Sequence, residues 1–161
     1  MPSVELLTYL ELVGQQLKLK LFEDRLALQK VTYLLQEAGI DLGYTFTWYV
    51  RGPYSPSLTR DAYQLVNFRV DTKQLPRPEA ADAKKIQVIS QLIKSAEGRR
   101  PSREYWLELL GSLHFVAKHL SPGKSRKENI ADFKQKKPGF KDADIRQAWK
   151  LLQDHELIRR P

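Results

Sequence analysis

The sequence predicts a mainly α-helical protein of about seven helices, with a short β-strand or hairpin near residues 44–50. Three observations carry this expectation. Apolar residues recur at three- and four-residue intervals through most of the chain, glycine and proline interrupt that pattern between stretches, and one segment alone alternates with a period of two. A length of 161 residues with 42% hydrophobic and 29% charged residues suits one globular domain able to bury a sizeable core.

In order along the chain, Val4, Leu7, Leu10, Val13 and Leu17 predict a first helix over residues 4–17, with Gly14 as its weak point. Ala27, Val31, Leu34, Leu35 and Ala38 form the stripe of a second helix, and Gly39 stands where a left-handed C-terminal residue is wanted. Tyr44, Phe46, Trp48 and Val50 then alternate with Thr45, Thr47 and Tyr49, the pattern of a strand with an aromatic face. One strand needs a partner, and residues 70–75 are a candidate. Gly52 and Pro53 read as a turn, while Ser55 and Pro56 cap and open a third helix reaching to about Arg69, with Leu58, Ala62, Leu65 and Val66 inward.

Two prolines within residues 75–78 mark a boundary between residues 1–75 and 79–161, expected to pack as one compact unit. Ile86, Ile89, Leu92 and Ile93 give a fourth helix ending near Gly98. Ser102 caps a fifth carrying Trp106, Leu109, Leu110, Leu113, Ala117 and Leu120, stopped by Ser121, Pro122 and Gly123. A short basic helix over residues 126–136 and a last helix with Ile145, Ala148, Trp149 and Leu152 complete the series.

Composition excludes several classes. Without cysteine there are no disulfides and no cysteine-ligated metal centres. No stretch approaches the roughly 18 consecutive apolar residues of a membrane span, and Glu5 and Glu11 break any signal-peptide pattern, so a cytoplasmic location without a membrane partner is expected. His114, His119 and His155 lack partners at metal-ligand spacing, and five residues put His114 and His119 on different sides of a regular helix. A carboxylate-x-lysine nuclease pattern can be traced through Asp71 and Lys73 after Asp61, or Asp82 and Lys84 after Asp71. These fall at a helix end, a proline-rich linker and a helix start rather than on adjacent strands, which counts against a metal-dependent nuclease. No catalytic set, metal site or cofactor is expected.

Charge is more informative. Residues 1–80 hold nine Lys/Arg and nine Asp/Glu, so the whole net charge of +8 sits in the second half. Lys118, Lys124, Arg126, Lys127, Lys134, Lys136, Lys137 and Lys141 face only Glu128 and Asp132 over residues 118–141. Such a stretch either attracts nucleic acid, DNA or RNA, or is a solvated face. Residues 144–158 (DIRQAWKLLQDHELI) join a helical pattern to an extended ending and resemble a winged-helix element, in which Lys136, Lys137 and Lys141 would meet phosphates.

A second motif lies in the first half: Leu28-Gln29-Lys30, Tyr33-Leu34-Leu35-Gln36, Gly43-Tyr44-x-Phe46, then Gly52-Pro53-Tyr54-Ser55 with Leu58. It resembles the YwgA-like family of bacterial and archaeal proteins and, more distantly, the Panacea (SocA-like) domain. That resemblance implies a small helical domain engaged in protein binding or regulation, such as an antitoxin with its toxin, rather than catalysis. Physically, Gly52 and Pro53 turn the chain, Ser55 starts a helix and Tyr54 packs. Alternatively, the helix start at Ser55 with Lys30, Arg51 and Arg60 forms a site for a partner or an anion, and Trp48 and Tyr49 either fill the core or offer a stacking surface. The leading expectation is a regulatory protein that binds a protein partner through Lys30 and residues 51–55 and nucleic acid through Lys124, Arg126, Lys127, Lys134, Lys136, Lys137 and Lys141. An interaction adaptor without nucleic acid is the rival.

Overall fold

A computed structural model describes residues 4–68 and 71–160. These form seven helices, α1 (Glu5–Leu12), α2 (Phe22–Glu37), α3 (Pro56–Leu65), α4 (Ala80–Ala96), α5 (Arg103–Phe115), α6 (Arg126–Lys136) and α7 (Asp142–Asp154), and one antiparallel hairpin, β1 (Thr47–Tyr49) with β2 (Gly52–Tyr54). The centre is α5. From Trp106 to Val116 every residue is buried, so α5 is packed on all sides, chiefly by α2 and α7. One apolar core runs from Leu6 and Leu34 through Leu110 to Phe133 and Leu152, joining residues from both sides of the proline segment.

Local chemistry explains most of the boundaries. Ser55 Oγ accepts from Leu58 N with Pro56 in the first helical position, Ser102 Oγ accepts from Tyr105 N, and Ser125 and Glu128 form a reciprocal capping box on α6. Gly39, at φ +106, takes the left-handed position after α2, and the following Ile40 amide returns to Leu35 O. α1 is shorter than its apolar pattern predicts, ending at Leu12 before left-handed Gly14.

Other differences have identifiable causes. The strand's partner is Gly52–Tyr54, in register Thr47 to Tyr54, Trp48 to Pro53 and Tyr49 to Gly52, and not the described residues 71–75 of the expected partner segment 70–75. Thr72–Gln74 is a single 3-10 turn capped by Asp71, while Arg69 and Val70 lie outside the described residues. Pro53 is tolerated because this two-stranded hairpin leaves a free edge. On α3, Leu58, Ala62 and Leu65 point inward but Val66 is exposed. No strand follows α7 among the described residues: the chain turns at Glu156, φ +59, and the Leu157 amide bonds back to Leu152 O, so the extended ending of a winged-helix element is not formed.

α5 runs on into a widened π turn, Val116–Leu120, closed by Ser121 N donating to Val116 O. That turn swings Leu120 out to solvent and brings residues five apart onto one side. His114 and His119 therefore both face α2, correcting the expectation that they diverge: both rings lie edge-on to Tyr33. His119 Nε2 donates to Glu37 at 2.6 Å and Lys118 Nζ to the same carboxylate at 2.7 Å.

His114 is fully inside. Its Nε2 faces Leu157 O at 3.1 Å, an atom that can only accept, so Nε2 carries the proton and Nδ1 accepts from the Tyr33 hydroxyl at 2.7 Å. The neutral ring thereby satisfies both partners. Burial pushes its pKa down to about 4, against the opposing pull of Glu37. The unfolded chain protonates this ring near about 6.5, so between those values protons favour the unfolded state. Lowering the pH from about 7 to about 4 should cost about 3 kcal/mol through this residue. Urea unfolding across that range should show a slope for the native chain that is flatter in His114→Gln.

Candidate functional site

The motif residues of the first half act together through α2. Gln29 and Gln36, seven apart on one face, each bond both backbone groups of one residue across from the helix. Gln29 Oε1 accepts from Ser55 N at 2.9 Å while its Nε2 donates to Ser55 O at 3.1 Å. Gln36 does the same to Tyr44, at 2.8 Å for each bond. Two side-chain amides thus replace the neighbouring strand that the segment between 44 and 55 lacks.

Between these clamps, Lys30 Nζ donates to Pro53 O at 2.7 Å. Close backbone approach makes room for it. Gly111 on α5 has the Lys30 stem against it, so a Cβ there would sit 3.2 Å from Lys30 Cδ. Gly52, at φ +93, lies against Ser112, and a side chain there would strike the Ser112 hydroxyl. Beside them Glu108 of α5, itself buried, holds Lys137 at 3.2 Å and Arg51 at 3.3 Å. Lys137 Nζ also donates to Val50 O at 2.8 Å. Burial pushes Lys30 down to about 7, a fall that Lys137 deepens and Glu108 opposes.

Outside this layer is a cleft of about 340 Å³, walled by Leu19, Phe22, Leu26, Tyr49, Val50, Tyr54 and Tyr63 and carrying Arg25, Lys30 and Arg51, with no carboxylate in its lining. Its α2 wall is the face Phe22, Arg25, Leu26, Gln29 and Lys30, at spacing i, i+3, i+4, i+7 and i+8. The rim is apolar and open: Val50 is 74% exposed, Tyr49 61%, Tyr63 51% and Phe22 48%. Arg51 lies over the Phe22 ring at 5.4 Å. The aromatic pair of the hairpin divides its roles. Trp48 packs inward on Phe115, ring centroids 5.8 Å apart, while Tyr49 pairs with Tyr54 at the surface, 5.4 Å apart.

Of the first group of expected site residues, Lys30, Arg51, Gly52 and Tyr54 line this cleft. Pro53 and Ser55 are buried behind it, and Arg60 is exposed on α3 outside it. The helix start at Ser55 is largely occupied, its amide by Gln29 and that of Leu58 by Ser55 Oγ. Sequence reasoning quotes Gln29 and Gln36 only as motif members without a role, and does not single out Glu108, Phe22, Arg25 or Tyr63. The one signal available was a pair of glutamines seven apart within an otherwise buried helical stripe.

The basic stretch is scattered rather than gathered. Lys137 is turned inward onto Glu108, Lys134 pairs with Asp142 at 2.5 Å and Lys124 with Asp132 at 2.9 Å. Arg126, Lys127, Lys136 and Lys141 are exposed. Lys124 and Arg126 line a broad groove of about 750 Å³ with Lys118, Arg159 and Arg160, which also holds Glu37 and Glu156. Among the described residues no group of three or more His, Asp or Glu is placed to hold a metal ion, and no helix is long and apolar enough to cross a membrane. Asp61 accepts from the Tyr44 hydroxyl, Asp71 caps its 3-10 turn and Asp82 lies 3.6 Å from Lys85.

No family model, curated protein or solved structure matches this chain.

The clamp on the hairpin is directly testable. Gln29→Leu keeps the side-chain bulk and leaves the buried Ser55 amide without its acceptor, while Ser55 O still accepts from the Thr59 amide, so it should destabilise by about 1–3 kcal/mol in chemical denaturation, the cost of one group left unpaired.

Proposed function

We propose that this chain is a non-enzymatic regulatory protein whose α2–hairpin–α3 cleft holds an apolar segment of a protein partner. The observation that carries the reading is the cleft itself, an apolar hollow edged by exposed aromatic and aliphatic side chains at the foot of a rigidly braced hairpin. Scattered exposed apolar residues are ordinary on a protein surface, whereas a cluster around a concavity is what a docking site requires. Three cations without a carboxylate in the lining favour a partner segment of acidic character. The antitoxin-like form of this reading, with a toxin as partner, rests on the resemblance of residues 25–70 to the YwgA-like and Panacea domains, and a cytoplasmic setting goes with it.

Nucleic-acid contact by the second half is a second reading, favoured by the groove that gathers Lys118, Lys124, Arg126, Arg159 and Arg160. It predicts anisotropy titrations with DNA or RNA that weaken steeply with salt and weaken further in Arg126→Glu. Binding indifferent to both would leave the protein-interaction adaptor alone.

For the cleft, a photo-cross-linking residue in place of Val50 should trap one defined protein in host cells. Phe22→Glu should abolish the trapping, because it puts a charge on the apolar rim, while Lys150→Glu, at an exposed position of α7, should leave it intact. Trapping unchanged by Phe22→Glu would refute the cleft as the docking site.

A further inference from the structure

Lys30 is 2% exposed and yet contributes to the lining of the cleft. An ammonium has three N–H donors, and the single acceptor found for this one is Pro53 O. None of the ion pairs among the described residues involves Lys30: Glu108, the nearby carboxylate, is engaged by Lys137 and Arg51. Arg25 is turned to Leu19 O and Lys20 O, and Arg51 stands half out in solvent at the mouth. Lys30 thus brings to an apolar hollow an amine with unused donors that no carboxylate of the lining engages, and whose charge burial disfavours until an anion pairs with it.

We propose that the cleft captures the C-terminal residue of the partner chain, its carboxylate on the Lys30 ammonium and its apolar side chain against Phe22, Leu26 and Tyr63. This rests on the reading of the cleft as a docking site. A terminal residue carries carboxylate and side chain on one Cα, so both can enter together. An internal Asp or Glu would drag a continuing backbone into the hollow, where few polar groups are free to meet it. Gln29 is spent on Ser55 and Thr59, Thr59 donates to the Tyr54 hydroxyl, and the remaining walls are largely apolar. A bound carboxylate would also favour the protonated form that burial opposes at Lys30, a gain available only to an anionic ligand.

The probes are acetylated tripeptides ending in Leu, Ile, Phe or Trp, as free acids and as amides, titrated into the ¹⁵N-labelled full chain. A third set, amidated and with Glu beside the last residue, offers the side-chain carboxylate instead. At least one free acid should shift the amides of α2 and the hairpin and bind at least about tenfold more tightly than its amide, as expected for a charge-assisted hydrogen bond. Lys30→Met, which keeps the stem against Gly111, should erase that preference. Should the variant fail to fold, the acid-to-amide ratio in the native chain decides alone. Acid and amide binding equally in the cleft would overturn the carboxylate contact and leave the docking site standing. Equal binding by the internal-Glu amides would overturn the chain end as the source. If no peptide perturbs the cleft, the inference and the docking reading both fall.

Discussion

A helix buried on all sides, α5, is the constraint on which the rest of this protein depends. Its polar groups can be met only from whatever packs around it, because water cannot reach them, and the Ser112 hydroxyl is left without a partner. Glu108 draws in Lys137 from beyond α6 and Arg51 from the hairpin, tying both to the same turn. His114 takes the Tyr33 hydroxyl from α2 and the Leu157 carbonyl after α7. Where no partner is supplied, the helix is small instead: Gly111 and Ser112 let the Lys30 stem and the Gly52 backbone come close. The central helix therefore determines how near α2 and the hairpin lie to each other, and so the shape of the cleft between them.

The hairpin shows the same logic on a smaller scale. Three paired residues per strand cannot be stable in isolation, and no third strand completes the sheet among the described residues. Glutamines 29 and 36 supply, from a helix, the donor–acceptor pairs that a third strand would have offered to Ser55 and Tyr44. Because these bonds are local and buried, the outer edge of the hairpin is left without its own core and exposes Tyr49 and Val50. The exposure that makes the cleft a candidate docking surface follows from the way the hairpin is held.

What could be read from the sequence follows how local each signal is. Helix starts at Ser55 and Ser102 emerge where capping residues predict them, since a cap is decided within four residues. The aromatic alternation likewise reports which side faces inward over 44–48, with Tyr44 buried and Thr45 exposed, but fails at Val50, which lies exposed at the reversal of the hairpin. Pairing is not local, and a Gly-Pro step that reads as a turn proved to be the second strand, the reversal falling at Val50 and Arg51. The facing of His114 and His119 was hidden for a related reason. A π turn changes the angular step of the helix, and residue spacing alone assumes a constant one. The motif itself was legible, but its most consequential members, Gln29 and Gln36, have meaning only once the segment opposite them is known.

Charge illustrates the difference between sequence and surface most sharply. A run with eight cations against two acids in residues 118–141 reads as one basic patch. In the fold it is dispersed over three tasks: Lys137 neutralises Glu108 inside, Lys118, Lys124 and Lys134 answer Glu37, Asp132 and Asp142, and the remainder faces solvent. The acids that consume these cations lie partly outside the run, which is why the local excess overstates the surface excess. Conversely, the first half is neutral by count, yet its cleft is lined by three cations and no acid, because Asp24, Asp61 and Glu37 are spent on capping α2, on the Tyr44 hydroxyl and on the α5 extension. An anionic ligand would thus find a concentrated positive site in the half of the chain where net charge gives no hint of one, which makes the local pairing of acids, rather than the overall charge balance, the quantity that bears on recognition.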